Sequence, residues 1–566
     1  MLPLPTRINI DPKIVNHLLA LLSAIVLMAA CSGGSDLPDP IPDTGKVHHF
    51  VNLTVQVAAS RGSRSAGTTT PRAADGATTS LAPGTAKSAP GIAKSAPGIA
   101  TLADGATTPT PGAATPSDGT TAGEDDHYQS VSAEERESAV SSITVFIYPF
   151  EADINNDADA ANTIVRAFTW RVTRADVSAD GLITYTTGSR VLPDEIAEGH
   201  YKILVVANAD LSQLDGTSLK IVRDYIYNTP AYSVSTTDPR YQFDPLRSRD
   251  FVMASTQEVG LAIKPLFGPT GPGYHRHGSE ENPYTPDKTI TIERLAARID
   301  LALDPSLYRE AKDADGNVTE RWYEYPVTDE HGDQVATFRL THACPFNLTR
   351  EQYLFKHTTT ATDEANLTIQ VPGREVQQWS GGVLRAANYV IDPETFHQGN
   401  TQEIVGTYYT DYLYRENIGE NAAQLQTLYQ VPRADNAERL TPWTNSEGRS
   451  LKYYTLSYSA ENTVLASAQQ TDNRADYLPG IRFYGKYLLD GAPPSTARDI
   501  PFDYLIRHAA PSGTADPTQP MAYGLVRNNI YRIYIRSIHR LKDDFSIQLQ
   551  VVVLPWQYYE HSDIYM

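Results

Sequence analysis

Residues 545–554 read Phe-Ser-Ile-Gln-Leu-Gln-Val-Val-Val-Leu. Successive side chains of an extended chain point to opposite faces, so Phe545, Ile547, Leu549, Val551 and Val553 form one apolar face. Pro555 and Trp556 end the run. Just upstream, residues 529–538 (Asn-Ile-Tyr-Arg-Ile-Tyr-Ile-Arg-Ser-Ile) bring Tyr531, Ile533 and Ile535 together in the same way. Near the other end of the chain, Val51, Leu53, Val55 and Val57 alternate with Asn52, Thr54 and Gln56. Each segment is a strand with one face meant for burial. Residues 142–149 (Ser-Ile-Thr-Val-Phe-Ile-Tyr-Pro) are apolar on both faces. Further strands are expected at 164–173, 182–187, 200–208, 251–255 and 259–263, with turn signals such as Asp180-Gly181 and Glu198-Gly199 between them. One or two short helices fit residues 211–227. Long helical periodicity is scarce, so the class is mainly β, read as two sandwiches.

Between the early strand and the next one the composition breaks. From Val51 to His127 there is no Phe, Tyr or Trp. Gly84-Thr-Ala-Lys-Ser-Ala-Pro90 is followed by Gly91-Ile-Ala-Lys-Ser-Ala-Pro97, and Ala74-Asp-Gly-Ala-Thr-Thr79 recurs as Ala103-Asp-Gly-Ala-Thr-Thr108. Ordering a residue costs about 1–2 kcal/mol, and such a stretch has too little apolar surface to offset that. It is expected to be a disordered linker. Upstream, Arg7 and Lys13 precede a thirteen-residue apolar run, Leu18 to Ala30. That is too short to span a bilayer of roughly 30 Å and suits the core of a secretory signal. Ala29-Ala30-Cys31 resembles a bacterial lipobox, with Cys31 lipidated; the alternative is an ordinary secretory signal with an incidental cysteine. The chain is thus divided into a lipoprotein signal peptide (1–30), a tether (31–46), an early strand (47–60), the linker (61–139), a first sandwich (140–288) and a second (289–566).

Composition excludes several classes. The 566 residues carry 67 acidic against 47 basic side chains, a net charge of −20, which argues against a nucleic-acid binder working through a basic surface. Two cysteines cannot build a disulfide framework or a Cys-rich zinc module. With Cys31 lipidated, Cys344 is the remaining thiol and is expected to act as a small buried hydrophobe. Asp153-x-Asn155-x-Asp157 begins like a calcium loop but has Ala158 and Ile164 where Gly and Glu are needed. Asp313-x-Asp315-x-Asn317 has its Gly316 misplaced, and Asp315-Gly316 reads better as a hairpin turn. His275-Arg-His277 has no third ligand at a diagnostic spacing. No nucleophile elbow, phosphate loop or zinc-protease motif occurs. Ser-His-Asp and paired-carboxylate sites stay open, because their members need not be close in sequence; no metal site or cofactor is expected.

Several segments, in order, resemble the fimbrillin family of Bacteroidetes surface fimbriae, in particular the minor-fimbrium main-subunit type. They are the lipobox Cys31, the early strand followed by arginines, Ile143 to Tyr148, Gly199 to Asn208, Phe251 to Ser255, and Ile292-Glu-Arg-Leu-Ala-Ala-Arg-Ile-Asp300. Most specific are Ile506-Arg-His508 and Tyr523-Gly-Leu-Val-Arg-Asn-Asn-Ile-Tyr531, followed by the last strand and Trp556. The resemblance covers about 420 residues. It implies two transthyretin-like β-sandwich domains and a structural, non-enzymatic subunit of a cell-surface fimbrium that supports adhesion. It also implies export as an outer-membrane lipoprotein, anchored through lipid on Cys31. Its partners would be other copies, accessory fimbrial subunits and a host or bacterial surface receptor.

The resemblance further implies assembly by strand exchange. A protease cuts after an arginine, the early strand with Val51, Leu53, Val55 and Val57 is lost, and a strand from another subunit fills the groove. The donor would be Ile547, Leu549, Val551 and Val553; the cut would follow Arg61, Arg64, Arg72 or Arg136. Main-chain hydrogen bonds would supply affinity and alternating side chains register. Three alternatives stand beside this: a permanent edge strand in an uncut anchor, a last strand that is ordinary core, and arginines that are only linker charges; a tip adhesin is a further reading. A glycan-binding surface lipoprotein is the reading from another class.

Overall fold

A computed structural model describes residues 48–57, 131–132, 135–177, 183–228, 251–265, 276–349, 351–361, 367–380, 383–393, 429–445, 447–465, 477–508, 518–541 and 544–557. Side chains at 131–136, 177, 377–385 and 541–557 are outside the description. The elements below belong to the unit running from His49 to Met566. The chain is mainly β, as the alternation requires.

Among the described residues, nine strands form a first sheet. Its order is Arg166–Arg171, Ser142–Pro149, Gly199–Ala207, Met253–Ser255, Ile290–Arg294, Thr54–Val57, Ile183–Thr186 and Thr173–Val177, with Val259–Ile263 also paired to Gly199–Ala207. One face carries Val145, Ile147, Ile203, Val205, Ile290 and Ile292 in a core that includes Val51, Leu53, Val55 and Val57. The other carries Phe146, Tyr148, Leu204 and Val206 and is covered partly by Leu354, Phe355 and Val371 from far along the chain. This explains why 142–149 is apolar throughout: residues 143–148 are all buried.

A second sheet of eleven strands has the order Thr441–Thr444, Ser450–Ser459, Ala297–Leu303, Asn529–Leu541, Val318–Thr328, Gln334–Phe346, Gly480–Leu489 and Arg498–Leu505. Tyr308–Lys312 joins Val318–Thr328, Asp544–Gln557 joins Asn529–Leu541, and Val131–Ser132 joins Asp544–Gln557. The chain passes from the first sheet to the second at Leu295-Ala296, so Ile290–Arg294 belongs to the first. A short pairing of Ile226–Asn228 with Glu351–Tyr353 ties the two halves together on the flank.

Local chemistry sets the details. Asn208 and Asn528 adopt φ near +60°, a left-handed conformation that asparagine tolerates better than most residues. Asn208 also bonds Ser141 N–H at 2.9 Å, Ala139 O at 2.8 Å and Phe251 O at 3.0 Å, joining three segments. The Asp315-Gly316 hairpin is present: Gly316 has φ +84°, and Asp313 Oδ1 accepts from the N–H groups of Asp315 and Asn317. The terminal strand runs through Pro555 and Trp556 to Gln557 instead of ending at them, pairing Asn529 with Pro555. A proline donates no hydrogen bond but can still sit in a ladder position that does not need one. Cys344 is buried, as expected, and burial pushes its thiol pKa well up.

Candidate functional site

The early segment lies inside the first sheet instead of along its edge. Thr54–Val57 pairs in parallel with Ile290–Arg294, Val55 opposite Ile290 and Val57 opposite Ile292. On its other side it pairs antiparallel with Ile183–Thr186, Val55 opposite Tyr185. Three residues earlier, Phe50–Val51 pairs with Arg190–Val191. Val51, Leu53, Val55 and Val57 are 1%, 1%, 0% and 4% exposed, so all four expected anchors are buried. Fully burying such side chains is worth ~1.5–3 kcal/mol each, a gross roughly 6–12 kcal/mol.

Backbone bonds fasten the segment between those anchors. Phe50 N–H donates to Gly278 O at 2.9 Å, Asn52 N–H to Tyr284 O at 2.8 Å, and Tyr284 N–H to Phe50 O at 2.8 Å. Leu192 N–H donates to His49 O at 2.9 Å and Thr187 N–H to Leu53 O at 3.0 Å. Leu53 N–H donates to Thr187 Oγ1 at 3.0 Å. The Asn52 side chain accepts from Thr186 Oγ1 at 2.6 Å, and Thr187 Oγ1 lies 3.5 Å from the same oxygen. Alternating anchors were legible in the sequence. The Asn52–Thr186 contact was not, because its partners are 134 positions apart.

The terminal strand offers the complementary feature. It pairs antiparallel with Asn529–Leu541, Ile547 opposite Ile538, Leu549 opposite Ile535, Val551 opposite Ile533 and Val553 opposite Tyr531. On its other edge, among the described residues, Trp556 and Gln557 pair with Val131 and Ser132. The side chains of Ile547, Leu549, Val551 and Val553 lie outside the described residues, as do Cys31, Arg61, Arg64 and Arg72 entirely.

Arg136 lies in the short helix Glu135–Ser138, its side chain outside the description. The two residues after it are fully buried. The Glu137 carboxylate sits 3.1 and 3.2 Å from Arg298 Nη1 and accepts from the Tyr458 hydroxyl. Its backbone carbonyl accepts from Arg294 Nε at 2.7 Å, and Ser138 Oγ lies 2.6 Å from Arg294 Nη2. Asp300 extends the network to Arg298 at 2.7 Å and to Arg532 at 2.9 Å. Burial opposes the Arg298 charge, but Asp300 and Glu137 outweigh it and hold its pKa well above the ordinary value. This cluster escaped the sequence reading. Its trace is the i, i+2 pair Arg298 and Asp300, which puts two charges on the same face of an otherwise apolar strand.

The most specific motif residues are also buried polar ties. His508 lies 2.7 Å from the Tyr531 hydroxyl and 2.6 Å from Glu375 Oε1. Arg527 pairs with Glu461 at 2.6 Å and donates to Leu354 O at 3.0 Å. Their positions brace the fold. Among the described residues no group of three or more His, Cys, Asp or Glu is placed to hold a metal ion.

No family model and no curated protein matches the chain. Solved structures similar to it include a protein from Parabacteroides distasonis provisionally described as a cell adhesion protein. It is 12% identical, with a TM-score of 0.32, the alignment covering 90% of this chain and 100% of that one. Another, from Bacteroides fragilis and described in the same terms, is 9% identical with a TM-score of 0.22, covering 79% and 94%. A provisional adhesin from Bacteroides thetaiotaomicron is 9% identical with a TM-score of 0.21, covering 74% and 92%. Likenesses at these scores carry no argument about this chain.

Proposed function

We propose that the chain is a structural subunit of a cell-surface fimbrium that polymerises by protease-triggered strand exchange and supports adhesion. The observation that carries the reading is the place of Thr54–Val57 between two strands of the first sheet. Removing a central strand opens a groove walled by Ile290–Arg294 and Ile183–Thr186, with unpaired backbone on both sides and an apolar floor. A strand of the same alternation restores both, and Ile547 to Val553 has that alternation. The reading makes the precursor an outer-membrane lipoprotein with Cys31 lipidated, and gives it no catalytic role or cofactor. Its partners are other copies, accessory fimbrial subunits and a surface receptor.

The same reading places the cut at Arg61, Arg64 or Arg72. A cut after Arg136 would break into the helix carrying Glu137, whose carboxylate and carbonyl hold two buried arginines. Native-state cleavage there requires that network to open first.

The test is treatment of the purified full chain with an arginine-specific protease, followed by unboiled SDS gels and N-terminal sequencing. SDS-resistant ladders are expected, together with loss of ladders when the chain stops before the terminal strand. A cut protein that stays monomeric would sink the proposal and favour an anchor whose early strand is permanent.

A further inference from the structure

Four apolar anchors repeating every second residue fix which face of an incoming strand is buried, but a slip of two residues keeps that face. Something else must choose among the even registers. A polar contact in the seat of the early strand is able to do so. Thr186 Oγ1 accepts from Gly188 N–H at 3.1 Å, which leaves its proton for the Asn52 amide oxygen at 2.6 Å. Thr187, buried beside it, takes the Leu53 N–H on its hydroxyl. A hydroxyl held in this way asks for a carbonyl-bearing side chain between the first and second anchors.

We propose that Thr186 and Thr187 form a register lock, and that the residue read by it in an incoming copy of this chain is Gln548. This rests on the strand-exchange reading. Laid in the direction of the early strand, Ile547-Gln548-Leu549-Gln550-Val551-Val552-Val553 places Gln548 at Asn52 and aliphatic side chains at all four anchors. A slip one way puts Gln550 at the lock but Pro555 in the place of Val57, a position that by alternation with Leu53 turns its N–H toward the Ile183–Thr186 side, where proline has none to offer. A slip the other way puts Ser546 at the lock and Phe545 in the place of Val51, which is 1% exposed and leaves no room for a ring. Hydrogen bonding and sterics therefore select the same register.

The register can be read by disulfide trapping. Thr184 is the cross-strand neighbour of Gln56, and in the proposed register Val552 takes the place of Gln56. Full-length Cys31→Ser chains carrying Thr184→Cys would be mixed with chains carrying Val552→Cys, Gln550→Cys or Leu554→Cys, cut with the arginine protease and oxidised. The Val552→Cys mixture should give at least about tenfold more intermolecular disulfide than the other two. Adding Thr186→Val to the acceptor should narrow that preference about fivefold, the worth of one ordinary hydrogen bond. Preferential trapping through Gln550→Cys or Leu554→Cys, or indifference to Thr186→Val, overturns the proposal while leaving strand exchange standing. If no mixture forms ladders, strand exchange itself fails. The lock is tested apart from assembly in the uncut chain. There Asn52→Gln should keep the thermal midpoint, and Asn52→Leu should lower it by about 2–4 °C. Equal midpoints for Asn52→Leu and the parent overturn the lock.

Discussion

Leu53→Ala isolates the seat of the early strand from every other part of the molecule. Leu53 is 1% exposed, sits between the two short strands, and has both its backbone groups bonded to Thr187. Truncation leaves those bonds in place and removes the side chain from the core of the first sheet. A buried Leu→Ala change costs ~2–5 kcal/mol, depending on how far the site collapses. Set against the gross roughly 6–12 kcal/mol from the four anchors, one substitution removes a large share of what holds the segment. In the uncut chain the loss should appear as a lower denaturant midpoint for the transition that includes the first sheet. After arginine-protease cutting the segment is held without a covalent tie, so the same loss should favour its release roughly 30- to 4,000-fold, at 1.4 kcal/mol per factor of ten. Native mass spectrometry of the cut protein, with and without Leu53→Ala, counts the retained fragment directly. A midpoint shift below about 0.5 kcal/mol in the uncut chain, the size of an ordinary surface change, would refute the seating described here.

Other outcomes are equally specific. Glu137→Ala should destabilise by about 3–5 kcal/mol in chemical denaturation, because it leaves Asp300 alone to balance the buried Arg298 and Arg532, whereas Asp435→Ala, in an exposed pair with Arg433, should leave the midpoint unchanged. Cys344 in a Cys31→Ser chain should resist a thiol-specific reagent at pH 8 and react fully on unfolding, since burial keeps it protonated. Gly485→Ala should lower stability by about 1–3 kcal/mol: a Cβ there would lie 2.4 Å from the Phe338 ring and 2.6 Å from Arg339 O, and the backbone oxygen cannot swing aside. A thermal midpoint unchanged by this last substitution would show that the two strands are not paired in the stated register.

Period-2 patterning was the strongest guide, and it worked where one physical rule dominates. Residues 142–149 and 259–263 became strands with the stated bounds because apolar alternation or continuity matches sheet burial directly. The four anchors from Val51 to Val57 were legible for the same reason. What could not be read was pairing at a distance. That the early segment would run parallel to Ile290–Arg294, and that this strand would belong to the first sheet, depends on contacts between halves of the chain. The charged cluster around Glu137 was hidden for another reason. Arg294, Arg298 and Asp300 look like surface residues by type, and their burial becomes tolerable through partners distant in sequence: Glu137 and Ser138 from the segment before the first long strand, and Asn528 and Arg532 from near the other end. The Ile506 and Tyr523 motifs were conspicuous, but their meaning as internal hydrogen-bond ties required geometry.

The parallel pairing of Val55 with Ile290 also has a consequence for the order of synthesis. A segment near the start of the chain cannot find its lateral neighbour until residues out to 294 have left the ribosome. Throughout that interval Thr54–Val57 can meet Ile183–Thr186 but lacks Ile290–Arg294, the strand that joins it to Met253–Ser255. Non-local pairings of this kind are slow to form, and the waiting intermediate shows sticky edges to whatever is near. The newborn protein thus passes through an open-sheeted state before it first closes, and a holding factor would have its work there.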